Sequence, residues 1–303
     1  MNAKRILPSD YPKLKKFFES QKYGLCAYSL ASIIVWRNNV YQPYGTIDGD
    51  TLIVWAEFTT RKEDRHLILP VSPVREFAPE ELRDLAVKLG FTKYCFVPDE
   101  YLNQYNELSV KDLFDIEEQK GFADYIYFTQ DLASLRGNRY SKKRNLVKQF
   151  QRDYTERDRV KVEKITSSVA SECLDFLEKW CEERDCDANP EEDLACEKQA
   201  AINTIENIDI LEVNGLLVRV DDEISAFGIA SHLKSGMGVL HFEKAFSGIK
   251  GLYQYFDNLC AKRLFNGYKY INKESDMNMP GLAKAKKSYH PVRMVRSYSL
   301  TVK

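Results

Sequence analysis

The chain has 303 residues, enough for two domains of ordinary size, and 44% of them are hydrophobic. Its 44 basic and 45 acidic side chains give a net charge of −1, which argues against the overall basic surface of a general nucleic-acid binder. The seven cysteines are scattered and form no CxxC pair, which predicts reduced thiols and no metal site. The sequence shows no export signal and no apolar stretch long enough for a bilayer, so we expect a cytoplasmic protein.

The first half of the sequence alternates between helical and strand patterns. A helix begins near Tyr11 and Pro12, and a second apolar helix covers about 28–36. Residues 47–55 predict a hairpin with Asp48-Gly49 at its turn. Strands follow at 67–71, 94–97 and 125–128, and a helix that opens at Pro79 ends near Gly90.

The second half repeats this order. Helices are predicted at 168–183 and 191–206, a hairpin at 218–229, a strand at 239–243, a helix at 252–265 and a strand at 268–272. Residues 47–50 fall on 220–223 and residues 91–94 fall on 265–268, with offsets of 173 (220 − 47) and 174 (265 − 91). The recurrence predicts two superposable mixed α/β domains, an N-terminal one of 1–133 and a C-terminal one of 134–303.

A concentrated basic segment, residues 135–148, lies where the two halves join. It contains no acid, and it places three consecutive cations near a predicted helix start, where they oppose the helix dipole. This pattern predicts a site for phosphate or another polyanion, with a solvated face as the alternative. The candidate residues are Arg139, Lys142, Lys143 and Arg144.

Several segments together resemble the C-terminal domain of the phosphatidylglycerol lysyltransferases, most closely its stand-alone soluble bacterial relatives. They are residues 136–145, 241–245, 248–253 and 272–286, and the resemblance extends in order over nearly the whole chain. It implies two tandem GNAT-like (acyl-CoA N-acyltransferase) domains related to the Fem-type aminoacyltransferases, which use charged tRNA. The sequence shows none of the multi-spanning membrane half of the full-length enzymes.

Acyl transfer to an amine requires a donor phosphate site, a group that stabilises the oxyanion and a base. Gly248, Lys250 and Gly251 follow a predicted strand and open a helix, as a phosphate-binding turn would. The usual GNAT pattern is Gln/Arg-x-x-Gly-x-Gly/Ala. This chain departs from it, because Ala245 occupies the first place and Lys250 the last. A plain strand-to-helix turn is the alternative.

Glu243 ends the predicted strand and is the candidate base, with Asp276 as the second choice. Alternation along a strand puts His241 on the same face as Glu243. His241, Asn272, Glu274 and Lys286 are candidate substrate-binding residues. Each has an ordinary alternative as a structural histidine or a solvated charge.

The sequence therefore predicts a transferase that moves an acyl or aminoacyl group from a CoA or tRNA donor to an amine or hydroxyl acceptor. The expected partners are CoA or tRNA and a small or anionic acceptor. The alternative function is a non-catalytic ligand- or polyanion-binding protein on a degenerate GNAT scaffold.

Overall fold

The computed structural model describes residues 3–184, 186 and 193–303. Two mixed seven-stranded sheets dominate this part of the chain. The first contains, in spatial order, β1 (Lys4–Arg5), β2 (Tyr41–Asp48), β3 (Thr51–Phe58), β4 (His66–Leu67), β5 (Lys93–Pro98), β14 (Ser297–Val302) and β6 (Phe114–Glu118). The second contains β13 (Arg293–Val295), β7 (Asp124–Phe128), β12 (Tyr270–Asn272), β11 (Met237–Ala245), β10 (Glu223–Lys234), β9 (Asn214–Val220) and β8 (Val160–Ile165).

Helices cover the sheets. They are α1 (Tyr11–Leu14), α2 (Leu30–Val35), α3 (Pro79–Leu89), α4 (Asp99–Tyr105), α5 (Glu107–Leu113), α6 (Thr129–Ser134), α7 (Ser141–Asp153), α8 (Ala170–Glu182), α9 (Asp193–Glu206), α10 (Leu252–Arg263) and α11 (Pro280–Lys287). The predicted start of α9 at residue 191 lies outside the described residues. None of the described helices has the length and apolar character needed to cross a membrane.

Both sheets are built in the same order, which confirms the predicted mixed α/β class. Each has an antiparallel hairpin, β2–β3 or β9–β10, followed by a parallel strand–helix–strand crossover. The crossover is β4–α3–β5 in the first sheet and β11–α10–β12 in the second. Both hairpin turns use positive φ, at Gly49 (57°) and at Asp221 and Asp222 (52° and 67°), as tight hairpins require.

Local chemistry explains where the elements differ from their predicted lengths. The strand predicted at 67–71 is regular only through Leu67, and Val71 rejoins the sheet through an isolated bridge to Leu52. Pro70 lies between them and has no N–H to donate to a ladder.

α8 buries Cys173, Phe176, Leu177, Trp180 and Cys181, the spacing of one apolar helix face.

Each half of the sequence contributes one strand to the sheet of the other half. β7 precedes residue 133, yet it lies in the second sheet between β12 and β13. β14 ends the chain, yet it lies in the first sheet between β5 and β6. Sheet membership is therefore exchanged between the halves, and the division into domains 1–133 and 134–303 stays a prediction.

The largest apolar cluster includes residues of both halves. Phe17, Ile34 and Trp55 belong to it together with Phe176 and Phe227. Five of the seven cysteines are buried: Cys95, Cys173, Cys181, Cys186 and Cys260. The two sheets are thus joined by exchanged strands and by a shared core.

Candidate functional site

The two parallel strands of the second sheet separate at their carboxyl ends. β11 and β12 pair only at three positions, from Met237 with Tyr270 to Val239 with Asn272. β11 then continues to Ala245, whereas the chain after Asn272 diverges from β11 and stays hydrogen-bonded to Tyr125 of β7 through Lys273 and Glu274. The wedge between β11 and residues 273–276 lies where α/β sheets commonly bind ligands.

A β-bulge in β11 changes which side chains face this wedge. Phe242 lies opposite Ile229 and Leu240 opposite Ala230, so His241 is the extra residue. His241 contacts Ser32 of α2, whereas Glu243 contacts the α10 side of the sheet through Lys273. The expectation that His241 and Glu243 share a face is therefore wrong, because the bulge adds one residue and breaks the alternation.

On the α10 side, two carboxylates meet one buried ammonium. The Lys273 Nζ lies 2.7 Å from Glu243 Oε2 and 2.6 Å from Asp257 Oδ2. The three side chains are between 5% and 15% exposed, so water screens them little. We call Glu243, Asp257, Lys273 and the adjoining Tyr289 the Lys273 cluster.

The charges in this cluster shift one another's protonation. Burial raises the pKa of Glu243 to about 7, and the Asp257 carboxylate acts in the same direction against the opposing effect of Lys273. Burial acts to lower the pKa of Lys273, but the two carboxylates outweigh it and hold that pKa well above its ordinary value. Glu243 is therefore the group of the cluster that can exchange a proton near neutral pH.

The basic segment reaches the cluster through Lys143. Its Nζ lies 3.9 Å from the centre of the Tyr289 ring, and the Lys273 Nζ lies 5.3 Å from the same ring. Burial lowers the pKa of Lys143 below its ordinary value. Lys142, its neighbour on α7, is exposed. The structure thus brings Lys143 and Glu243, two separately predicted site residues, to one place.

Two other cations of the basic segment are engaged locally. Arg139 pairs with Asp131 at 2.7 Å. Arg144 donates to the carbonyls of Leu135 (2.5 Å) and Gly137 (3.1 Å), just beyond the end of α6. These contacts satisfy carbonyls that a helix end leaves free. They reduce the charge that the segment offers to a ligand.

The opposite face of the bulge carries a second buried set. His241 Nε2 lies 2.8 Å from Ser231 Oγ, and its Nδ1 lies 2.9 Å from Glu274 Oε1. Ser32 Oγ is 3.3 Å from the same Nδ1. Both ring nitrogens are therefore partnered within the protein, which is the arrangement of a structural histidine.

Asn272 and Lys286 fix the chain as it leaves β12. Asn272 Nδ2 donates to the carbonyl of Gly24 and to Asp124, both at 2.7 Å. Lys286 Nζ donates to the carbonyls of Lys273 (2.5 Å), Glu274 (3.2 Å) and Ser275 (2.5 Å). Burial lowers the pKa of Lys286. These two predicted substrate-binding residues are occupied in holding the turn that carries Lys273.

The predicted phosphate turn divides into an open part and a packed part. Gly248 and Lys250 are exposed. Gly251 is buried with φ of 84°, and a Cβ there would lie 2.4 Å from the carbonyl oxygen of Leu146 in α7. A glycine at 251 is therefore required by the close approach of α7, whatever binds at the turn.

Asp276, the second candidate base, lies outside the Lys273 cluster by its contacts. Its carboxylate accepts from the Tyr125 hydroxyl at 2.6 Å and from the backbone N–H of Asn278 at 3.0 Å. The described part of the chain contains no group of three His, Cys, Asp or Glu side chains that would hold a metal ion.

Sequence reasoning missed Asp257, Lys273 and Tyr289. Asp257 carried a usable signal, because it is an acid among the apolar residues of a predicted helix, and in the structure it is only 3% exposed. Lys273 and Tyr289 lie in polar segments of the sequence, where a lysine or a tyrosine gives no signal of a site. Only the turn after β12 and the packing of α7 bring them to Glu243.

The family follows from comparison with known proteins. A family model described as "Phosphatidylglycerol lysyltransferase, C-terminal" matches residues 20–301. The match covers nearly all of the chain, which therefore belongs to this family. No curated protein matches the sequence.

Two solved structures share the fold of this chain. A conserved protein of unknown function from Bacteroides thetaiotaomicron is 28% identical with a TM-score of 0.87, and all of each chain is covered. The C-terminal domain of an Agrobacterium fabrum protein named as a lysylphosphatidylglycerol synthetase has 13% identity and a TM-score of 0.65, over 97% of this chain and 91% of that one. A tandem GNAT protein from the clavulanic acid biosynthesis pathway is more remote, with 8% identity and a TM-score of 0.47 over 98% and 97% of the two chains.

Proposed function

We propose that the protein transfers an acyl or aminoacyl group from a CoA or tRNA donor to an amine or hydroxyl acceptor in the wedge between β11 and residues 273–276. The observation that carries this proposal is Glu243, a buried carboxylate whose pKa is raised to about 7, at the point where two parallel strands separate. Membership of the family supports the same class of reaction. Buried thiols such as Cys173 and Cys260, which form no disulfide, support a cytoplasmic location.

In this proposal Glu243 accepts a proton from the acceptor, directly or through one water. The acceptor nitrogen or oxygen attacks the donor carbonyl, and a new C–N or C–O bond forms. The bond from the carbonyl carbon to the donor's sulfur (CoA) or ribose oxygen (tRNA) then breaks, and the leaving group takes up a proton. Lys143 lies over Tyr289, where its ammonium would favour the developing oxyanion.

The donor's phosphates would lie toward Lys142 and Lys250, which are exposed on the α7 and α10 sides of the wedge. Arg139 and Arg144 would contribute less, because each already has partners within the chain. A scaffold that has lost its chemistry would have little reason to keep two carboxylates and an ammonium buried together, because burying charges is unfavourable.

The first test is a thermal-shift screen with acyl-CoA species, uncharged tRNA and aminoacyl-tRNA analogues, since a ligand of the native state raises the unfolding midpoint. Turnover is then measured with the donor found and a set of amine and hydroxyl acceptors. Glu243→Gln should lower turnover about 10²–10⁴-fold while donor affinity stays nearly unchanged. In the native protein the rate should rise with pH through about 7, as Glu243 loses its proton. Full activity of the variant would remove Glu243 from the mechanism.

A further inference from the structure

The N-terminal half has a cavity at its own crossover, apart from the wedge. It measures about 170 Å³ and opens beside the loop that leaves β4 on the way to α3. Pro70, Val71, Ser72 and Pro73 line one part of it. This is the strand end at which α/β sheets commonly bind ligands. The volume is below the roughly 300 Å³ of the smallest drug-sized pockets, so a ligand here has few atoms.

Tyr28, a buried residue of the cavity lining, has a hydroxyl whose hydrogen is unused within the described part of the chain. Tyr28 is 1% exposed, and its oxygen accepts the backbone N–H of Leu69 at 3.3 Å. No acceptor for its O–H hydrogen is present in the described part of the chain. A buried donor without an acceptor is unfavourable. A ligand with an acceptor oxygen would remove that penalty.

The charges at the cavity favour an anion. Lys22 and Arg75 are the cations of the lining and Glu76 is its acid, so the lining residues carry an excess of one positive charge, while Glu81, outside the lining, pairs with Arg75. Glu76 is already engaged, because it accepts from Lys22 Nζ at 2.8 Å and from the Tyr23 hydroxyl and the Gln104 side chain. It therefore offers little to a cationic ligand.

Arg75 is the cation that is free to exchange partners. It pairs with Glu81 at 3.1 Å, and both side chains are about half exposed. Such an exposed pair contributes little to stability, so replacing Glu81 with a ligand carboxylate loses little. The guanidinium of Arg can bind both oxygens of a carboxylate.

We propose that this cavity binds a small monocarboxylate with a short apolar body. The carboxylate accepts from the Tyr28 hydroxyl and from the Arg75 guanidinium, and the apolar body contacts Pro70, Val71 and Pro73. A single positive charge in excess matches a monoanion better than a phosphate dianion. The site is separate from the proposed transfer reaction and does not depend on it.

The test is isothermal titration calorimetry of the full chain with sodium butyrate, with butylamine hydrochloride and butanol as probes of matched length. Butyrate should bind with a Kd below about 10 mM, and the other two should bind at least about 10-fold more weakly. Tyr28→Phe and Arg75→Gln should each weaken butyrate binding about 10-fold or more. Arg83→Gln is the matched control, since Arg83 lies on α3 and pairs with Asp84 at the surface; it should leave the affinity unchanged.

Three results would each overturn the proposal. They are no butyrate heat in the folded native protein, equal butyrate affinity in Arg75→Gln and Arg83→Gln, or tighter binding of butylamine than of butyrate. Circular dichroism melting of every variant shows whether it is folded. If Tyr28→Phe does not fold, the comparison of Arg75→Gln with Arg83→Gln decides.

Discussion

Two carboxylates, Glu243 and Asp257, share the single ammonium of Lys273 in the wedge, so the ionised cluster carries an excess negative charge in a poorly hydrated place. Burial raises the pKa of Glu243 to about 7, and the neighbouring Asp257 carboxylate acts in the same direction. One residue thereby acquires both the position and the pKa of a general base.

The raised pKa of Glu243 makes stability depend on pH. Its pKa in the folded protein is about 7, above the ordinary 4.5, so the folded state binds this proton more tightly than the unfolded state. The resulting contribution to the free energy of unfolding is complete below about pH 4.5 and is lost as the pH rises through about 7. At about 1.4 kcal/mol per pKa unit, we expect a loss of roughly 1–3 kcal/mol.

The measurement is urea unfolding of the native protein and Glu243→Gln at about pH 5 and about pH 8. The difference between the two proteins isolates Glu243 from other titrating groups such as Asp124. The native protein should lose stability relative to the variant at the higher pH. A difference that stays constant, or changes in the opposite direction, would contradict a raised pKa.

Lys286 provides a second test at this scale. Lys286→Met would leave the carbonyls of residues 273–275 without the ammonium that holds them. Because those carbonyls are partly buried, we expect a loss of about 2–4 kcal/mol in the free energy of unfolding. Lys284→Met, at an exposed position of the same helix, should change stability by no more than about 0.5 kcal/mol. Similar losses in the two variants would mean that the three bonds contribute little.

At the scale of elements, the close packing of α7 against the start of α10 sets the geometry of the turn at 248–251. Gly251 makes this contact possible through its positive φ and its missing side chain. The same contact directs the basic start of α7 toward the wedge, and so brings Lys143 to Tyr289.

Gly251→Ala should therefore destabilise the protein by about 2–4 kcal/mol, because it adds left-handed backbone strain to a clash with a carbonyl. Gly248→Ala is the matched control: a Cβ at 248 meets nothing within 4 Å, and we expect a change of less than about 1 kcal/mol. Thermal unfolding followed by circular dichroism measures both. If Gly251→Ala left the unfolding temperature unchanged and Gly248→Ala lowered it, our interpretation of the turn would be wrong.

At the scale of the whole molecule, the exchanged strands make each half dependent on the other. Residues 1–133 contain β7, whose partners β12 and β13 lie beyond them, and they lack β14, which pairs with β5 and β6. The missing strand would expose two edges within one sheet.

We therefore expect residues 1–133 and 134–303, produced separately, to show no cooperative unfolding transition by circular dichroism. Mixing or co-expressing them should restore a folded complex that elutes with the intact chain on size exclusion. A sharp thermal transition in either isolated half would show that its domain is independent of the exchanged strand.

The sequence by itself determined the class of the fold, the recurring order of elements, the two hairpin turns and the presence of Glu243 in a strand. These depend on local periodicity and turn chemistry, which a single sequence contains. Its prediction that Glu243 ends that strand is wrong, because β11 continues to Ala245. It did not determine the bulge at His241, because almost every residue of β11 is buried, so no alternation of polar and apolar residues marks where the register shifts.

Only the tertiary structure decided the rest. The exchange of β7 and β14 is a choice between equivalent sheet positions, and neither strand's own sequence distinguishes them. The Lys273 cluster joins residues from β11, α10, the turn after β12 and the chain beyond α11. Lys273 has an ordinary sequence context, and it became part of a site because distant segments bury it beside Glu243 and Asp257. Burial is what makes such charges shift one another's pKa strongly.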